Sequence, residues 1–297
     1  MLLMLLCVGS SGVVGVCTFR DHWSVRITGV AAAVPVALTF ALCMRNSIFT
    51  FLFGIPFERQ LFWHKLTGLL AFFLGWTHGV AALLADSSFS TRGNVSGLLL
   101  GGSLSIIVLS AVFPIVRRLR FNLFLVLHIV FTLLAIVTGI VHGASGVMFG
   151  VAAWSLDLIL RLVVLTLIRN PRMALAQLLE GDVIRLTCSK EDLQYSPGQY
   201  VFLMIPQVNS FEWHPFSISS APHNEQISIH IRPLGDWTEK LKALVLCRSL
   251  PNQRLKIYMD GPYGSPELDL ESPKYQLFLL ISGGIGITPM QSICNHL

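Results

Sequence analysis

Five apolar segments, near residues 25 to 44, 57 to 85, 97 to 116, 121 to 143 and 147 to 168, are each long enough to cross the hydrocarbon of a bilayer, which takes a helix of roughly 20 residues. A chain with so many of them folds in lipid, where a helix keeps every backbone hydrogen bond within its own segment. Met1 to Cys17 is a shorter sixth run with neither a basic start nor a small-residue cleavage site, and it is expected to be an uncleaved or shortened first span. Residues 1–170 hold 11 Lys/Arg and 4 Asp/Glu, whereas residues 171–297 hold 10 and 12. A membrane half therefore precedes a soluble half. The net charge of +5 arises in the first half, where it reads as topology, and nucleic acid is not an expected partner.

Eight basic residues (Arg45, Arg59, Lys65, Arg117, Arg118, Arg120, Arg169, Arg172) flank one set of span ends, and Arg20, Arg26 and Arg92 flank the other. The positive-inside rule then predicts a multi-pass protein with a cytosolic soluble half. Asn94-Val95-Ser96 forms a glycosylation sequon that this topology puts in an external loop. Pro56 and Glu58 suit the start of the 57 to 85 span. The six cysteines form no C-x-x-C pair, so neither a disulfide framework nor a zinc site is expected.

His64 and His78 lie 14 residues apart in one span, and His128 and His142 lie 14 apart in another. That spacing is close to four helical turns, so both histidines of a pair leave nearly one face, about 21 Å apart in depth. A single span separates the two helices, which makes them parallel and sets His64 level with His128 and His78 level with His142. Each histidine is either a buried polar group bonded to neighbouring backbone or a ligand; four in matched register favour ligands. Two side chains per level are too few for a bare metal ion. They suffice for haem, whose macrocycle supplies four nitrogens, and two haems at two depths make a path for electrons. Gly68, Gly75, Gly79, Gly139 and Gly143 would let a flat ring approach the backbone, although glycine is also common in ordinary membrane helices.

After Pro171 the pattern changes to short alternating strands such as Gln226 to Arg232, separated by turn signals at Ser196-Pro197-Gly198 and Gly261-Pro262-Tyr263-Gly264. This predicts a small antiparallel barrel. Gln276 to Ile281 reads as a buried strand entering Gly283-Gly284-Ile285-Gly286-Ile287-Thr288-Pro289 and a helix, an arrangement that lets a phosphate approach backbone donors.

Tyr200-Val201-Phe202, His214 to Ser220, Gly235-Asp236-Trp237-Thr238, Gly261 to Gly264 and Gly283 to Pro289 resemble the flavin and nicotinamide region of the ferric reductase and NADPH oxidase superfamily. Arg45-Asn46-Ser47, Glu58-Arg59, Phe62 to Lys65, both histidine pairs and Asp157 with Arg161 resemble its membrane domain. The resemblance implies an α-helical membrane bundle of about six spans (residues 1–170), then an antiparallel β-barrel FAD domain (171–270) and the start of an α/β NADPH-binding domain (271–297). It implies two b haems on His64, His78, His128 and His142, and FAD lined by His214, Pro215, Phe216 and Ser217. Arg232 and Thr238 would reach the FAD pyrophosphate, and Gly283, Gly284, Gly286, Thr288 and Pro289 would meet NADPH.

Asp157 and Arg161 either pair with each other or, through Arg161, meet a haem propionate, as Arg45 would. The expected function is electron transfer from cytosolic NADPH through FAD and haem across the plasma membrane to an external ferric or cupric chelate. Oxidases of the family shorten the second histidine spacing by one, and the loop Gly143 to Val147 is short for an outer cap, so oxygen reduction to superoxide is the alternative. Rival classes are a non-catalytic haem-binding membrane subunit that stabilises a partner and a transporter with histidine relays. Only one strand and one helix of the NADPH domain precede Leu297, so the chain is expected to be a truncated member unable to oxidise NADPH alone.

Overall fold

The structure, a computed structural model, describes residues 25–45, 47–85, 92–113, 116, 120–163, 171–247, 253–264, 270 and 272–297. The expected span at Met1 to Cys17 lies outside them. The chain divides into two compact units, Met1–Ile159 and Leu160–Leu297.

The first unit holds helices α1 (Val25–Ala41), α2 (Ile48–Phe53), α3 (Phe57–Ala85), α4 (Arg92–Val112), α5 (Phe121–His142) and most of α6 (Ser145–Val163). The described residues of each of the five expected spans are mostly helical. Among the described residues, Phe57–Ala85, Gly93–Val112 and Phe121–His142 are long and apolar enough to cross a membrane, and Val25–Ala41 is a shorter apolar helix. The three long helices leave rows of Leu, Val and Phe exposed, as lipid-facing surfaces do. Helix α1 packs along α3, α4 along α5, and α3 against α4. Helix α5 ends on Gly143, whose φ is +78°; Ala144 N–H donates to Gly139 O at 2.8 Å. A left-handed glycine cap of this kind stops the helix at once, so His142 sits at its end and α6 begins after two residues.

The sequon is a correction. Asn94 and Ser96 lie in the first turns of α4 rather than in a loop, and Ser96 is only 5% exposed. Pro56 stands just before α3, where its carbonyl accepts from Arg59 and Gln60 N–H.

The second unit contains β1 (Arg172–Leu179), β2 (Val183–Ser189), β3 (Tyr200–Met204), β4 (His214–Ser217), β5 (Gln226–Ile231), α7 (Asp236–Cys247) and β6 (Gln253–Tyr263), followed by a 3-10 turn (Gly284–Gly286) and α8 (Ile287–His296). Every strand pairing is antiparallel. The sheet order is β4-β3-β6-β1-β2-β5; the expected antiparallel sheet is present, and among the described residues it does not close into the expected barrel. Ser219 N–H donates to Ser228 O at 2.9 Å, a local link beyond the end of β4 that does not continue as a ladder. Ile227, Ile229 and Ile231 are all buried on one face of β5, as the alternation predicts. They join Leu186, Leu255 and Ile257 in a single core, against which α7 lays Trp237 and Leu241.

Two further expectations change. Gly261 to Gly264 does not end the strand at a turn: β6 runs through Tyr263, which pairs with Tyr200 of β3 after a register shift. Gln276 to Ile281 is not a buried strand. Leu277, Leu279 and Ile281 are exposed, since no described strand lies beside them to complete a ladder. Helix α8 docks instead through Ser292, which is fully buried and donates to Ser220 O at 2.7 Å.

Candidate functional site

Helices α3 and α5 bring the four histidines together in two pairs. The ring centres of His64 and His128 are 6.4 Å apart, and those of His78 and His142 are 6.0 Å apart. A metal–imidazole bond is about 2 Å, so two imidazoles on opposite sides of one iron place their ring centres about 6 Å apart once the nitrogen-to-centre distances are added. The side chains present therefore fit bis-histidine haem at both levels. Among the described residues, no group of three or more His, Cys, Asp or Glu could hold a bare metal ion.

The other ring nitrogen decides which nitrogen is left for a metal. His64 Nδ1 lies 2.8 Å from Thr39 O, His78 Nδ1 3.1 Å from Val25 O, and His142 Nδ1 3.0 Å from Gly93 O. A carbonyl only accepts, so in these three rings Nδ1 carries the proton and Nε2 keeps its lone pair. Thr39 O is available because α1 is ending there: Cys43 N–H donates to Phe40 O instead. His128 differs. Its Nδ1 is buried without a hydrogen-bond partner, and its ring packs 5.5 Å from Phe124.

The glycines behind these rings are not those expected. A Cβ on Gly29 would come within 3.1 Å of His78 Cε1, and one on Gly97 within 2.9 Å of His142 Cε1. Gly68 and Gly75 face Thr39 and Leu104, Gly139 lies under Val147, Gly79 has open space beside it, and Gly143 serves as the helix cap. The signal for Gly29 and Gly97 was a hydroxyl residue immediately before each, at Thr28 and Ser96. A polar clamp was also missed: Gln60, fully buried, donates to Thr50 Oγ1 and Ile55 O and accepts from Ser47. Asp157 and Arg161 both lie on α6, and Asp157 is 8% exposed.

In the second unit, His214 to Ser217 form the whole of β4, an edge strand on β3. Side chains alternate along a strand. His214 and Phe216 lie against Trp237, with ring centres at 4.5 and 5.8 Å. Pro215 and Ser217 take the opposite face, opposite Phe202 and Tyr200, which cluster with Tyr263. The four residues thus present two surfaces, and one flat ring meets only one of them.

Arg232 and the glycine turn converge on a cleft of about 270 Å3, lined also by His230, Ile285, Thr288 and Gln291. Gly284 has a φ of +53°, and a Cβ there would lie 3.8 Å from Arg232 Nη1. An exposed guanidinium facing the start of α8 suits a pyrophosphate, which takes charge-assisted bonds from the cation and backbone donors from the helix end. Gly283 and Gly286 are exposed in the same turn, and Pro289 lies in the first turn of α8, where it costs no hydrogen bond. Thr288 donates to Ile285 O at 3.0 Å, which fixes the turn. Burial and the Arg185 charge lower the His230 pKa, so its ring adds no second cation at neutral pH.

Thr238 lies at the turn into α7. Its hydroxyl accepts from Leu234 and Gly235 N–H and donates to Gly235 O, so it shapes the turn into α7 and does not line the Arg232 cleft. Among the described cysteines, Cys188 is buried, with its thiol pushed up to about 11 by burial, whereas Cys247 and Cys294 are exposed.

A family model for the ferric reductase-like transmembrane component matches residues 28–139, and one for an FAD-binding domain matches residues 168–267. Among curated relatives, respiratory burst oxidase homolog protein E of Arabidopsis thaliana is 42% identical over 139 residues, 40% of this chain and 14% of that protein. Homolog protein F of the same plant is 44% identical over 138 residues, 39% of this chain and 14% of its own. Homolog protein A of Solanum tuberosum is 43% identical over 134 residues, again 39% and 14%. The match thus spans a small part of these relatives. A solved flavohemoglobin from Malassezia yamatoensis, with bound FAD and heme, is 15% identical and covers 96% of this chain and 72% of its own at a TM-score of 0.36. That score is too low to carry an argument about fold.

Proposed function

We propose, for a chain that belongs to the ferric reductase and NADPH oxidase superfamily on its transmembrane and FAD-binding domains, that it carries electrons from NADPH through FAD and two b haems across a membrane. The observation that supports this most is the pair of histidine levels with ring centres at 6.4 and 6.0 Å. Bound FAD supplies the exchange between a two-electron donor and one-electron carriers, and bis-histidine haem supplies one-electron transfer without an open coordination position.

The chain's own residues do the rest. His64, His78, His128 and His142 hold the two levels, with Nε2 free at three of them. Arg232 and the turn Gly283 to Gly286 bind pyrophosphate, and Ser217 offers a hydroxyl on the face it shares with Tyr200. The basic residues at one set of span ends support a cytosolic soluble half.

Two acceptors have support. Dioxygen is favoured by the relatives, whose names are those of oxidases. A ferric or cupric chelate is favoured by the equal 14-residue spacings and by the two-residue connection after His142, which is itself too short to cover that end. Purified full-length protein, reduced with dithionite and desalted, separates them: reoxidation by air with release of superoxide supports the first, and anaerobic reoxidation by ferric chelate alone supports the second. Absence of a Soret band would overturn the haem reading itself.

Arg232→Ala and Ser217→Ala are expected to lower FAD retention, Arg232→Ala by about tenfold or more because it removes a charge-assisted bond, and Ser217→Ala by less. The haem spectrum should not change. Flavin fluorescence after release measures this, and equal occupancy in wild type and both variants would remove these roles.

A further inference from the structure

The two histidines of the second level share a seat that neither histidine of the first level has. On α1, Val25 O, the Thr28 hydroxyl and Gly29 meet His78; on α4, Gly93 O, the Ser96 hydroxyl and Gly97 meet His142. The order is the same in both: a carbonyl, a hydroxyl three residues later, then a glycine. Thr28 Oγ1 is 2.9 Å from Val25 O and 3.1 Å from His78 Nδ1. Ser96 Oγ is 3.0 Å from Gly93 O and 3.2 Å from His142 Nδ1. Each hydroxyl proton goes to the carbonyl, so its lone pairs face Nδ1–H, which lies in a fork of two oxygens.

Hydroxyl bonding to a carbonyl one turn back is ordinary in such helices, and Thr67, Ser103, Ser105 and Thr138 do the same. Thr28 and Ser96 stand apart because they also reach a ring nitrogen. His64 meets a single carbonyl, and His128 Nδ1 meets none.

Resting on the haem reading, we infer that Thr28 and Ser96 are positioning residues that add a second acceptor to the Nδ1–H of His78 and His142, already set by the Val25 and Gly93 carbonyls, and so strengthen both rings as electron donors. A stronger donor favours the ferric over the ferrous state, so these hydroxyls hold the reduction potential of the His78–His142 level down. The glycines let the rings come close enough for the fork to form; any larger residue there would push them off.

Outer-shell partners of a ligand change its behaviour by about tenfold or more, and a tenfold change in a one-electron equilibrium is about 59 mV. Spectroelectrochemical titration of the purified full chain is the test, with haem counted per chain in every sample. In Thr28→Val and in Ser96→Ala, one of the two midpoints should rise by up to that amount while the other stays put, and the double variant should rise further. Thr28→Ser and Ser96→Thr, which keep the hydroxyl, should restore the wild-type value. Two haems per chain with unchanged midpoints in both hydroxyl-free variants would overturn the inference and leave the haem reading intact. Equal loss of haem in the hydroxyl-keeping variants would also overturn it, because the role would then be steric. Wild-type protein without haem would instead overturn the reading on which it rests.

Discussion

Replacing His78 or His142 by alanine is expected to reduce the haem content from two per chain to one and to abolish electron delivery to an external acceptor. The two rings stand 6.0 Å apart, so each is one of the two side chains that would hold the iron at its level, and removing either leaves a single protein ligand. Changing a partner one shell out already costs about 10- to 100-fold; deleting the ligand itself should cost more. FAD content should be unaffected, because the Arg232 cleft and the core around Ile229 and Ile257 belong to a separate compact unit. His64→Ala and His128→Ala should remove the other haem. Pyridine haemochrome quantitation beside flavin fluorescence checks both expectations. Unchanged haem content in all four single variants would refute the assignment.

The histidine levels were legible because helical periodicity converts a sequence interval directly into depth and direction. Which atoms hold the second nitrogen was not. Thr39 O is a backbone group, and its availability depends on where α1 stops, which apolar pattern places only to within a few residues. The sequon shows the same limit from the other side. Asn94-Val95-Ser96 satisfies a surface motif, yet the helix begins early enough to bury Ser96 against His142, and the hydroxyl that a glycosylation motif requires serves the ring instead.

In the soluble half, alternation located β5 and its inward isoleucines, since a half-buried strand must repeat every two residues. It gave no information on whether the sheet closes, which depends on how far β4 and β5, the two ends of the sheet order, pair with each other. The apolar run Gln276 to Ile281 has the composition of a parallel strand, but a strand exists only as a partner of others, and here Leu277 and Leu279 stay in solvent. For Thr238, the motif marked the turn into α7, where its hydroxyl bonds close the loop from Leu234 to Gly235. Arg232 and Gly284, assigned to different cofactors by motif position, face one cleft, a juxtaposition that becomes visible only once β5 and α8 are packed.

Gly146→Ala is expected to destabilise the bundle and lower haem occupancy at both levels. A Cβ at Gly146 would lie 2.1 Å from Ala33 O, and one at Gly150 would lie 2.8 Å from Phe40 Cδ2. These glycines, four apart on α6, form the small-residue face that lets membrane helices approach backbone to backbone. Overpacking typically costs about 1–3 kcal/mol. At Gly146 the neighbour is main chain rather than a side chain that can rotate away, so the upper end applies, and relief requires α1 to move.

Helix α1 is also the element that seats α3. It supplies Val25 O, Thr28 and Gly29 to His78 and Thr39 O to His64, so displacing it should loosen a ligand of each pair. Gly102→Ala on α4 is the control: nothing lies within 4 Å of its Cβ position, and alanine in a helix interior is worth about 1 kcal/mol over glycine. The two variants should therefore move the melting temperature of the detergent-purified protein in opposite directions, with haem lost only in Gly146→Ala. A Gly146→Ala protein as stable and as fully loaded with haem as wild type would show that α6 does not press on α1, and the seat of the α3 histidines would then have to be held from elsewhere.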